Sequence, residues 1–229
     1  MTEELNSMVI RRILHLFTIA ILIISFCLTS FFPVYASEAF IKFDDTKTHW
    51  AKNNIIWAYQ HNIVAGTSST SFSPDMPVTM AMFLTMLYNY DGRQSMDSIL
   101  DTPYINVNKT DYYYNAVKFA HHNSLITSSV FDPNQKLSRG EVAEILFRYF
   151  YYDYRKSFPD GPLISIDIPP YPQKYIDVEP YGNTQIDRAM RFFVSEGVIV
   201  GKSQNTINLD DIITRAEVVT IIKNYDDLV

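Results

Sequence analysis

The sequence is short of the residues on which most compact catalytic and metal sites depend. It has one cysteine among 229 residues, seven glycines and a deficit of positive charge. Cys27 sits inside an apolar N-terminal run. If that run is removed on export, no thiol remains, which excludes a disulfide, a cysteine nucleophile and a cysteine metal ligand. Stability must then come from packing. The few glycines form neither a phosphate-cradling loop nor a Gly-x-Ser-x-Gly elbow. With 19 basic against 25 acidic side chains the net charge is -6, a poor match to a nucleic-acid backbone. Beyond the N-terminal run the histidines are His49, His61, His121 and His122. The adjacent pair diverges by about 100° on a helix, and no His-Glu-x-x-His is present, so no metal site is expected. Asp210-Asp211 and Asp226-Asp227 lack the alternating ligands and central glycine of a calcium loop and read as solvated charge.

What is present begins with Arg11 and Arg12, followed by a nearly unbroken apolar run over residues 13–32 and then Val34-Tyr35-Ala36. This reads as an export signal cleaved after Ala36. The competing reading is an uncleaved anchor, since about 20 apolar residues can span a bilayer. Phe26 is too bulky for the position before a lipid-modified Cys27. Removing residues 1–36 takes away two charges of each sign and leaves the net charge at -6. The remainder draws on a composition that is 47% apolar and 19% charged, that of a globular protein with a core.

That remainder is repetitive. The first unit, residues 37–100, runs from Phe43-Asp44-Asp45 and His49-Trp50-Ala51 through Gly66 and Phe72-Ser73-Pro74 to a segment opening at Thr79. The second, residues 101–152, runs from Tyr104-Ile105-Asn106 through Phe131-Asp132-Pro133 to Ser138-Arg139-Gly140-Glu141. The third, residues 175–229, runs from Tyr175-Ile176-Asp177 to Thr214-Arg215-Ala216-Glu217. Gly66 to Val78 and Gly201 to Ile213 are both twelve residues. Each unit reads as helix, loop, helix, with apolar stripes such as Ile55, Ala58 and Tyr59 at helical spacing. Thr79, Ser138 and Thr214 are expected to cap the second helices. Glu141 and Glu217 complete a capping box that Met82 cannot. Residues 153–174 carry five prolines and read as an extended surface insertion.

The order of F-x-D, H-W-A, G-x5-F-x-P and I-T-R-A-E resembles the S-layer homology domain family across nearly the whole mature chain. The resemblance implies an all-α fold, a pseudo-threefold arrangement of three helix-loop-helix units around a central helical bundle. It also implies grooves between units that bind anionic, often pyruvylated, secondary wall polysaccharide. Carried over residue by residue, the site would use Arg215 and Arg139, Asp177 and Asp45, and Gly201 and Gly66. Asp177 with Arg215 is the expected principal pair. An arginine fork suits a ketal carboxylate. Met80, Asn106 and Ser128 depart from the pattern, so at most two working grooves are expected. Trp50 reads as packing against its own unit's second helix, with a sugar platform as the alternative; the run from Tyr149 to Tyr154 reads as the end of a packed helix, with an aromatic sugar platform as its alternative. The alternative role for the motif arginines is a salt bridge between units.

No cofactor and no catalytic residue are implied, and the expected membrane contact is through an uncleaved signal alone. A competing reading is a degenerate module serving as a protein-interaction or regulatory piece of the envelope. A weaker one is a wall-active enzyme with its site in the proline-rich insertion. Family members usually carry an effector domain for which this chain has no room, so it is expected to anchor a partner or compete for its polymer.

Overall fold

The structure is a computed structural model that describes residues 42–161, 166–179, 182 and 184–229. Arg11, Arg12, the apolar run, Cys27 and the cleavage position after Ala36 lie outside the described residues. Among the described residues there are six α-helices and no strand: α1 (Lys52–Gln60), α2 (Met80–Tyr90), α3 (Tyr114–His122), α4 (Arg139–Ser157), α5 (Gln185–Ser195) and α6 (Arg215–Leu228). The expected all-α class is therefore what is found.

The second helix of each unit starts where its cap requires. The hydroxyls of Thr79, Ser138 and Thr214 accept from the backbone N–H three residues on. Glu141 and Glu217 reach back to close full capping boxes. At Met82 the cap is one-sided, as its thioether offers no comparable acceptor. The cap-flanking residues also join the units. Val78 N–H donates to the carbonyl of Ile213, Ile213 N–H to Leu137 and Leu137 N–H to Val78, each at 3.0 Å. These bonds form a closed ring. Near the far ends of the same helices, Tyr90, Tyr149 and Tyr225 meet edge to face, with centroids 5.8 to 6.1 Å apart. Helices α2, α4 and α6 are thus tied at both ends.

Partners are exchanged between units. Helix α2 packs on α3, α4 on α5, and α6 on α1, so each second helix meets the first helix of the following unit and the last closes on the first. Phe72, Phe83, Phe119, Leu137, Phe193 and Ile207 belong to one continuous buried core.

The proline-rich segment differs from expectation at both ends. Helix α4 continues to Ser157, because residues 153–157 precede the first proline and meet no steric bar. Further on, Tyr171 is buried. Arg191 of α5 donates to the carbonyls of Ile168 and Pro169 at 3.3 Å and of Gly182 at 3.1 Å. Carbonyls freed by the absence of regular structure are thereby satisfied, and this part of the segment is packed down as a strap.

Candidate functional site

The lead-in aspartates hold loops. Asp45 accepts from the N–H of Phe72 at 2.9 Å and of Ser73 at 2.7 Å. Asp177 accepts from Ile207 and Asn208 at the same two distances. Burial raises the Asp177 carboxyl, but its backbone N–H bonds, from Ile207, Asn208 and its own residue, together outweigh it and leave the pKa below the ordinary value. Asn106 inverts the arrangement, its amide donating to the carbonyl of Phe131 at 2.8 Å. The loop glycines serve the same closure. A Cβ on Gly66 would stand 2.4 Å from the Ser68 carbonyl oxygen, and one on Gly201 would stand 2.5 Å from that of Thr206.

The motif arginines cross to a different unit. Arg139 donates Nε to Ile207 O at 3.1 Å and Nη2 to Val200 O at 2.6 Å, both in the third unit. Arg215 donates Nε to Phe72 O at 2.9 Å and Nη2 to Ala65 O at 2.7 Å, both in the first. Ile207 is therefore gripped by Asp177 on its N–H and by Arg139 on its carbonyl. Phe72 is gripped likewise by Asp45 and Arg215. The expected Asp177 and Arg215 pair is not brought together: each aspartate shares a loop with the arginine of the other pairing. Nor is the inter-unit tie chiefly a salt bridge, since Glu217 lies 3.8 Å from Arg139 while the carbonyls are closer. Both guanidiniums are buried. Burial pulls Arg215 down to about 10 and lowers Arg139 in the same direction, partly offset by Glu217 and Asp211. Arg215 stays protonated at neutral pH.

A first and a second cleft border these junctions, and a third lies against α4 and α5. The first, 440 Å³, is lined by Trp50, Arg139, Gly201, Lys202, Glu217 and Asn224. Lys202 lies 3.4 Å from Glu217 and 3.2 Å from Asp211. Trp50 is 64% exposed here, against the expectation that it packs on its own second helix. It precedes α1, which packs on α6, so its indole borders the third unit's cleft. The ring of His49 lies beside it at 5.3 Å. His49 Nδ1 accepts from Ala51 N–H, and its Nε2 is 3.3 Å from Asp75.

The second cleft, 360 Å³, includes Val64, Gly66, Met82, Met86, Tyr112 and Arg215 and is the more apolar. The third, 400 Å³, includes Ser124, Phe147, Arg148, Tyr151, Gln185 and Arg188. Lys202, Tyr112, Arg148 and Arg188 were not singled out by the sequence, and Trp50 was read there as packing first and as a sugar platform second. A useful signal was available in the aromatic that closely precedes α1 and α3, once each first helix is assigned to the preceding unit's cleft. Among the described residues no group of three or more histidine, cysteine or acidic side chains is placed to hold a metal.

Buried arginines that join units, open clefts beside them and an exposed indole at one rim describe a helical module built of linked units. Residues 42–79 match the family model of the S-layer homology domain. An endoglucanase of Bacillus sp. (strain KSM-635) is 29% identical over 151 residues, covering 61% of this chain and 16% of the relative. The endo-1,4-beta-xylanase A of Thermoanaerobacterium saccharolyticum is 31% identical over 117 residues, covering 49% and 10%. The exoglucanase XynX of Acetivibrio thermocellus is 24% identical over 184 residues, covering 80% and 16%. The chain thus spans at most 16% of the length of these relatives. The domain match indicates anchoring at the cell surface, and a cell-surface or secreted location.

Proposed function

We propose that this protein binds an anionic secondary cell wall polysaccharide noncovalently, with the first cleft as the principal site. The observation that carries this reading is the exposed indole of Trp50 at the rim of a cleft whose lining includes Arg139 and Lys202. An indole offers a flat apolar face to a sugar ring. Lys202 is a cation in the cleft lining paired with Glu217 and Asp211, and it would exchange them for a carboxylate of the polymer. Arg139 acts mainly through position: its two carbonyl bonds hold residues 200–207 in shape, and its charge adds to the field in the cleft. The motif residues Asp177, Asp45, Gly201 and Gly66 support the loops that frame the clefts. The chain on this reading acts by binding and not by catalysis.

The second reading, a protein-interaction piece of the envelope without carbohydrate binding, draws on the guanidiniums of Arg139 and Arg215 being already engaged with carbonyls. Cosedimentation with purified wall sacculi, before and after acid removal of their secondary polymers, separates the two. Binding that disappears with the polymer supports the polysaccharide. Absence of binding to both preparations favours the protein partner.

A further inference from the structure

The far end of the central bundle gathers more acid and phenol than packing requires. Two of its three tyrosines donate across a unit boundary to an aspartate: Tyr149 to Asp91 Oδ1 at 2.9 Å and Tyr90 to Asp226 Oδ1 at 3.2 Å. Burial raises the pKa of all three phenols, which keeps them protonated donors. The third hydroxyl, on Tyr225, is buried with no partner at hydrogen-bond geometry. The carboxylate it faces is Asp153, half-buried on α4 one turn beyond Tyr149. A bond between Tyr225 and Asp153 would complete a ring that runs from α2 to α6, from α6 to α4 and from α4 back to α2.

Asp153 is poorly placed to carry a charge. Asp91, whose side chain is fully enclosed, takes the ammonium of Lys156 at 3.2 Å, and among the described residues Asp153 has no ion pair of its own. From α2 it faces Tyr90 and Asp91, and from its own helix Tyr149, Tyr152 and Lys156. From α6 comes Tyr225, followed by Asp226 and Asp227, which both pair with Lys223. Arg93 is turned away to Asn62 and Asn89. The C-terminal ends of α2 and α6 add negative partial charge. Burial is the main cause of a raised Asp153 carboxyl; Asp91 adds to it, while Lys156 and Tyr225 oppose it.

We propose that this end of the bundle is a proton-operated clasp that fixes the last turns of α4 against α2 and α6 in mild acid. Asp153 takes a proton from solvent, loses its repulsion from Asp91 and closes the ring on the Tyr225 hydroxyl. Once protonated the carboxyl both donates and accepts, so it can satisfy the one hydroxyl that the ring leaves over. The folded chain binds this proton more readily than the unfolded chain does. The penalty on stability is therefore fully present above the folded pKa and is relieved as pH falls toward the unfolded value of about 3.9. That sign is opposite to the one expected of a carboxylate held by backbone N–H groups, such as Asp177. The module is firmest, on this account, in mildly acidic surroundings.

The test uses the full chain. Between about pH 7 and about pH 4.5 the wild-type urea midpoint is expected to rise, and amide exchange in the last turns of α4 to slow. Asp153→Asn, neutral at every pH, should have a higher midpoint than wild type at the upper end and lose most of the rise. A variant that keeps the wild-type rise overturns the clasp. Asp177→Asn should keep it, because that carboxyl titrates below the ordinary value. The carboxyl carbon of Asp153, followed by NMR in the wild-type chain, reads the proton directly and needs no variant. A titration midpoint above that of an ordinary aspartate is expected, and one at or below it overturns the proposal.

Discussion

The guanidinium of Arg215 lies 4.3 Å from the centre of the Phe72 ring and donates Nε to the carbonyl oxygen of the same residue at 2.9 Å. One side chain of the third unit thus covers the ring and satisfies the backbone of a buried residue in the first. Removing it strands two carbonyl oxygens, Phe72 O and Ala65 O, in a closed junction. Arg215→Ala is accordingly expected to lower stability by about 3 kcal/mol, from two bonds to a charged donor lost inside the protein. Lysine has no planar fork, so Arg215→Lys should recover only part of it. Urea unfolding midpoints at constant m-value decide the matter. A midpoint equal to wild type would return Arg215 to a role in ligand contact alone.

Helix α2 has the weakest start of the three second helices, because Met82 stands where Glu141 and Glu217 close their boxes. Met82→Glu should stabilise the chain by about 0.5 kcal/mol by accepting from the Thr79 N–H. Met82 also lines the second cleft with Arg215. The same change should therefore weaken any anion binding there, in a direction opposite to its effect on stability. Thermal unfolding and salt-dependent polymer binding measure the two effects separately.

These two cases show which features can be read from sequence. Thr79, Ser138 and Thr214 act through bonds three residues away, and such short-range chemistry is visible in the order of residues. That Asp177 holds a loop of the third unit while Arg215 reaches one of the first was not legible, because that order does not reveal that each second helix packs on the following unit's first helix. The same exchange turns Trp50 out to a cleft rim and places Arg188 beside Arg148. Asp45 and Gly66 were marked as ligand positions, and their bonds and contacts account for them through loop closure: Asp45 meets two backbone N–H groups and Gly66 has no space for a Cβ.

Acid should release the third unit's loop. The folded pKa of Asp177 lies below its ordinary value, so the unfolded chain binds a proton more readily there. Its contribution is fully present above the unfolded pKa of about 3.9 and is lost as pH falls through the lower folded value. Stability near that range should therefore fall with falling pH, and Asp177→Asn should flatten the slope because an amide takes up no proton in this range. Urea midpoints between about pH 2 and pH 6 test this. An identical slope in the variant would assign the acid sensitivity to other carboxylates.

Trp50 separates binding from folding most cleanly. At 64% exposure its indole contributes little to the core, although it borders the first cleft with Arg139 and Lys202. Trp50→Ala should change unfolding free energy by no more than about 0.5 kcal/mol and weaken polymer binding by at least about tenfold, the loss of one ring-stacking contact of roughly 1.4 kcal/mol. Trp50→Phe should retain part of the affinity, since a smaller aromatic face remains. A variant that unfolds earlier would mean that the indole packs after all. Full affinity in a stable Trp50→Ala protein would remove the first cleft from the polysaccharide reading.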